Sequence, residues 1–141
     1  MVEITVNSPH VRRFNTRLVK NVKVAESPDW LKDRLTAYGI KSINNVVDIT
    51  NYVMVEIGQP MHAQDTAKLI KREITIRAAT KGEKIKTILG TTVSLDPDIF
   101  VLSSGGVGTV IGGIVGGIDT SVNKGTTEII LDAGNYDQSV I

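Results

Sequence analysis

The chain is 141 residues long and 41% hydrophobic, enough apolar content to bury one core. Its 16 Lys and Arg against 15 Asp and Glu leave a formal net charge of +1, so no strong global field draws it onto nucleic acid or a membrane, and any RNA contact has to be local. The absence of cysteine excludes disulfides, thiolate metal sites and cysteine nucleophiles together, and suits a reducing compartment.

In chain order, Met1 to Asn7 alternates where a signal peptide would run apolar, and no stretch approaches the roughly 20 apolar residues of a membrane span. The expected compartment is the cytoplasm. Arg13 to Val24, with Leu18, Val19, Val22 and Val24 among basic residues, predicts a half-buried strand. The period then changes. Ser27-Pro28-Asp29 offers a helix N-cap, a first-turn proline and an early acid, and Trp30, Leu31, Arg34, Leu35 and Tyr38 follow at helical spacing up to Gly39.

A second helix is predicted from near Ser42, with Val46, Val47, Thr50, Val53, Met54 and Ile57 on one broad face, stopped by Gly58 and Pro60. Beyond Leu69 the pattern turns to short strands: 73–78, 84–89 paired with 92–95 across Gly90-Thr91, and 99–103. Seven glycines between Gly105 and Gly117, set among β-branched residues, predict strands that bend or admit a close approach. Thr126 to Leu131 reads as a last buried strand. The expected fold is a single α+β domain, 1–141, with helices near the N-terminus packed on a mixed, mostly antiparallel β core.

Ile40 to Asp65 reads IKSINNVVDITNYVMVEIGQPMHAQD. This run closely resembles the NNVVDVTNYVM and GQPLHAFD motifs of the central editing domain of phenylalanyl-tRNA synthetase beta chains, also called the B3/B4 domain. Arg13-Phe14, the segment Ser27 to Leu35, IGGIVGGIDTS at Ile111 to Ser121 and TTEIILD at Thr126 to Asp132 are similar to further landmarks of that family, in the same order. The resemblance covers nearly the whole chain from about Arg12.

The resemblance implies a hydrolytic pocket that clears tyrosine wrongly attached to tRNA(Phe), since a pocket built for phenylalanine gains little discrimination against one extra hydroxyl. It assigns His62 to the pocket, holding or polarising the attacking water or binding the terminal ribose, against the plainer alternative of a buried histidine bonded to backbone. It places Thr50 and Asn51 where a hydroxyl and an amide would orient the ester carbonyl or the amino group, unless Thr50 packs and Asn51 bonds the chain nearby. Gly116, with its neighbour Val115, aligns with the pocket wall, the missing side chain leaving room for an aromatic ring or merely bending a strand.

Asp132 stands where the family has a glutamate that recognises the tyrosine hydroxyl, one methylene shorter, or is an ordinary strand-end aspartate. Gln64 replaces the usual phenylalanine after His-Ala, Gly134-Asn135-Tyr136 stands for a small residue and an aromatic pair, and the family continues past this point with a SEASYRFERG-type segment, so the resemblance implies a domain shortened at its C-terminal end. No cofactor or metal is expected here; ATP and Mg2+ are implied for the synthetic site of the parent enzyme. Implied partners are the acceptor end of tRNA(Phe) and the synthetase alpha subunit, in an alpha2beta2 heterotetramer, with no membrane. Two rival readings stand beside this one: a structural module with a decayed pocket, and a tRNA-docking domain.

Overall fold

The computed structural model describes residues 1–141. Two strands, β1 (Glu3–Val6) and β2 (Val11–Lys20), precede the helices α1 (Asp29–Ala37) and α2 (Asn45–Ile57). Eight strands follow: β3 (His62–Asp65), β4 (Glu73–Ala78), β5 (Glu83–Lys86), β6 (Thr92–Leu95), β7 (Phe100–Ser104), β8 (Val107–Ile111), β9 (Val115–Gly116) and β10 (Glu128–Tyr136). The fold is α+β with both helices in the N-terminal half, as the change of hydrophobic period predicts.

The strands form a five-stranded sheet in the order β1-β4-β7-β8-β9, a three-stranded sheet in the order β2-β10-β3, and the hairpin β5-β6. Only β1 and β4 run parallel. Successive residues of a strand point to opposite faces, so β10 serves two cores at once. Ile130 joins Phe100, Leu102, Val110, Ile74, Ile76 and Leu69 between the two larger sheets, whereas Ile129 joins Ala63, Val24 and Val46 on the side of α2. The three-stranded sheet is thus the middle layer, with helix on one face and sheet on the other. Fully burying each such aliphatic side chain contributes about 1.5–3 kcal/mol before the ordering entropy is subtracted.

The start of α1 departs from expectation. Pro28 occupies the cap position and no side chain caps the helix, while the Ser27 hydroxyl donates to Asp48 in the first turn of α2. The Ser42 hydroxyl and the Ile43 N–H donate to the same carboxylate, which has no exposed surface. A helix end near solvent finds water for its free N–H groups; a buried carboxylate has only protein donors, so it takes the serine. Asn44, not Ser42, caps α2, its Oδ1 accepting from Val47 N–H at 3.0 Å. The helix stops at Gly58, whose φ of 74° lies in the left-handed region that a glycine adopts at low cost.

β2 is shorter at its C-terminal end than the pattern suggests, and β10 runs to Tyr136, beyond the predicted Leu131. Asp132, Gly134 and Asn135 are weak strand formers, but their backbone pairs along the whole of β2 down to Val11. β3 was not predicted. Its four residues read as the tail of a turn, and the chain makes them a strand only by pairing them with β10.

Candidate active site

The reversal at Gly58 to Pro60 lets the chain leave α2 and return as β3, antiparallel to β10, with His62 opposite Asp132 and Gln64 opposite Ile130. Cross-strand partners share a face, as do residues two apart, so His62, Gln64 and Asp132 all lie on the face that carries Ile130 towards the five-stranded sheet. His62 Nδ1 and Asp132 Oδ2 are 3.6 Å apart, with side-chain exposures of 28% and 7%. That distance is too long for a hydrogen bond. Both atoms are buried without a partner, and so is Nε2 of Gln64, a residue with no exposed surface.

Thr120 explains the other end of Gln64: its hydroxyl donates to Oε1 at 3.0 Å, leaving the amide NH2 free. Gly116 explains the position of His62. A Cβ at residue 116 would stand 2.3 Å from His62 Nε2, so the space left by the glycine is filled by the imidazole of this same chain. Val115 is half-buried, pairs with Ile111 and packs against the cluster of Ile85, Leu95 and Val101.

The two α2 residues sit differently. Thr50 is buried and its hydroxyl donates to the Val47 carbonyl at 2.7 Å, an interaction within the helix. Asn51 is half-buried on the next position. The structure therefore brings His62, Asp132 and Gly116 together, while Thr50 has its polar atom engaged inside α2.

Two residues become visible at the site only in three dimensions. Gln64 stands in the sequence as a departure from a motif, yet it lies two residues from His62 on a strand and shares its face. Tyr136 lies four residues from Asp132 on β10, and its ring folds back over Gly134, where a Cβ would meet the phenol oxygen at 2.1 Å. It also packs against Phe100, with the ring centres 4.9 Å apart and the planes tilted by 43°. Burial, and then the nearby Asp132 carboxylate, push its phenol pKa well above the ordinary value, so Tyr136 stays neutral beside the site. Period-two spacing, 62 with 64 and 132 with 134 and 136, was the available signal for both.

Several basic residues that could meet tRNA phosphates are engaged within the chain. Arg72 pairs with Glu128 at 2.7 Å, Arg12 lies 3.9 Å from Asp137, and Lys68 bonds the Ser121 carbonyl. No group of three or more His, Asp or Glu side chains is arranged to hold a metal ion, and no helix is long and apolar enough to cross a membrane.

The B3/4 domain family model matches residues 10–141. The chain is 42% identical over 136 residues to the phenylalanine–tRNA ligase beta subunit of Clostridium acetobutylicum, covering 96% of this chain and 17% of that protein. It is 40% identical over 141 residues to the corresponding subunit of Dehalococcoides mccartyi, covering 99% of this chain and again 17% of the relative. An N-terminal fragment of the phenylalanyl-tRNA synthetase beta subunit from Pyrococcus horikoshii superposes with a TM-score of 0.63 at 13% identity, over all of this chain and 46% of the fragment, which speaks to the fold alone. The chain therefore spans about a sixth of the length of the curated relatives it matches, and it belongs to the B3/4 domain family, in the form carried by phenylalanine–tRNA ligase beta subunits.

Proposed function

We propose that this domain hydrolyses tRNA(Phe) mischarged with tyrosine, as part of a phenylalanyl-tRNA synthetase. Water adds to the ester carbonyl, the bond to the terminal ribose oxygen breaks, and the proton lost by water ends on that oxygen, releasing tyrosine and free tRNA. No covalent enzyme intermediate is involved. The absence of cysteine and of a GxSxG elbow fits direct attack by water.

The observation that carries this reading is the buried Asp132 carboxylate facing the half-exposed His62 across 3.6 Å, each with an unpaired atom turned to the other. Groups so close address the same part of a substrate. We accordingly assign both to the side-chain end, where Asp132 accepts the proton of a phenol and His62 closes the other side. A buried carboxylate acceptor rewards a substrate hydroxyl and is left unpaired by phenylalanine, and this asymmetry supplies discrimination that an apolar pocket lacks. Asn51 is assigned the ester end, and Thr50 the packing of the helical turn that presents it.

The ATP and Mg2+ chemistry of aminoacylation belongs, in this reading, to the parent enzyme outside this domain, together with the alpha subunit and cytoplasmic tRNA. One observation favours the rival, a module without hydrolytic activity: the His62 imidazole itself fills the space over Gly116, and Asp132 is only 6% exposed. Incubating tyrosyl-tRNA(Phe) with the assembled synthetase separates the two. Release of tyrosine that drops at least tenfold in His62→Ala supports hydrolysis here, and release at the uncatalysed rate by the unmodified enzyme supports the rival.

A further inference from the structure

Of the three unpaired buried atoms, the amide nitrogen of Gln64 is the one that no assigned role absorbs. Gln64 has no exposed surface, and its carbonyl oxygen is already bonded by Thr120, itself only 2% exposed. A buried NH2 without a partner is destabilising, so apolar packing alone is a poor account of a glutamine here. Met or Leu would fill similar volume with nothing left unpaired.

The geometry gives that NH2 a use. Gln64 is the diagonal neighbour of Asp132 across the β3-β10 pair and shares its face, and diagonal neighbours are within reach of one another's long side chains. Asp132 Oδ2 is an acceptor in want of a donor, and Gln64 Nε2 is a donor in want of an acceptor. A single hydroxyl completes both at once, because it donates one hydrogen bond and accepts another. A carbonyl, an ammonium group or a hydrocarbon completes one at most.

We infer that Gln64 is a specificity-determining residue of this site, donating from Nε2 to the oxygen of a substrate hydroxyl whose proton is accepted by Asp132. The substrate class is an aminoacyl group ending in a hydroxyl. This inference rests on the reading of the site as an aminoacyl-tRNA pocket, but it concerns binding and not hydrolysis. Thr120 holds Oε1 at 3.0 Å, which leaves Nε2 as the end free to donate.

The test is titration of the chain with two stable analogues of the aminoacylated tRNA end, 3′-(tyrosylamino)-3′-deoxyadenosine and its phenylalanyl counterpart, followed by calorimetry. The unmodified chain is expected to prefer the tyrosyl analogue about tenfold or more, the gain of one good polar contact in a buried site. Gln64→Met keeps the volume and removes the donor; it should lower that preference to about twofold while leaving affinity for the phenylalanyl analogue unchanged or higher. Gln64→Glu, which puts a second acceptor beside Asp132, should lose the preference as well, and it guards against a packing defect specific to Met.

If both variants are folded by circular dichroism and keep the full preference, Gln64 does not read the hydroxyl. An unmodified chain that binds the two analogues equally, or neither, overturns the inference too. Selective binding by a chain whose parent enzyme fails to deacylate tyrosyl-tRNA(Phe) sustains the inference and removes the hydrolytic reading alone.

Discussion

Two buried aspartates, one on each side of the middle sheet, show how differently the same side chain is used. Asp48 lies on the helix side with no exposed surface, and three donors from two chain segments, Ser27, Ser42 and Ile43, converge on it. Asp132 lies on the other face, 6% exposed, with one oxygen left without any partner and an imidazole at 3.6 Å that does not reach it. The first is a staple between the entry to α1, the interhelical link and α2. The second is an unfinished arrangement, of the kind that an ordered water or a ligand completes.

The sharpest way to break this contrast is to remove both carboxylates in turn. Asp48→Ala strands three buried or part-buried donors and should cost about 3–5 kcal/mol, read as a fall in the urea midpoint; a loss under about 1 kcal/mol would remove Asp48 from its structural role. A smaller effect is expected at Glu83, which accepts from both guanidinium nitrogens of Arg77 at 2.8–2.9 Å, away from the site. Arg77 above all holds its carboxyl at about 2, with help from the Thr80 and Gly108 N–H groups and against the effect of burial.

Because that folded value is depressed, the Glu83 contribution is present above the unfolded value of 4.5 and is lost as pH falls towards about 2. Glu83→Gln should therefore cost about 1–2 kcal/mol at pH 7 and progressively less below pH 4.5, and a penalty that stays constant from pH 7 to pH 2.5 contradicts the pairing. Gly116→Ala comes next. Its Cβ, 2.3 Å from Nε2, forces the His62 ring out of its present place, so stability should fall by only about 1 kcal/mol while preference for the tyrosyl analogue disappears; unchanged preference would show that the ring's place over Gly116 is incidental.

Much of the architecture was legible because it follows from period. Both helices and the strand at 73–78 declare themselves through spacing and punctuation, and the motif from Ile40 to Asp65 identified the family, whereas the hairpin expected to turn at Gly90-Thr91 pairs Lys86 with Thr92 across the longer connection 87–91. What escaped is what depends on pairing. β3 is short and polar and exists by virtue of β10, and the second half of β10 holds its course because β2 supplies partners. The same holds for the site. His62, Gly116 and Asp132 were named from resemblance, and the structure sets them side by side, but the imidazole fills the space over Gly116 that was expected to admit a substrate ring. Gln64 read as a departure from a motif because an unpaired amide hydrogen is a three-dimensional fact, invisible until Thr120 is seen to hold the other end.

The measurement that bears most directly on the account pairs stability with turnover in Asp132→Asn. The carboxylate has no hydrogen-bond partner at Oδ2 to lose, so an amide of equal size should change folding stability by less than about 1 kcal/mol, while tyrosyl-tRNA(Phe) deacylation by the assembled synthetase falls at least tenfold and phenylalanine attachment is unchanged. An Asp132→Asn enzyme that deacylates at the original rate, or one that unfolds as readily as the Asp48→Ala variant, would show that Asp132 is a structural residue and that this face of the sheet is not a site.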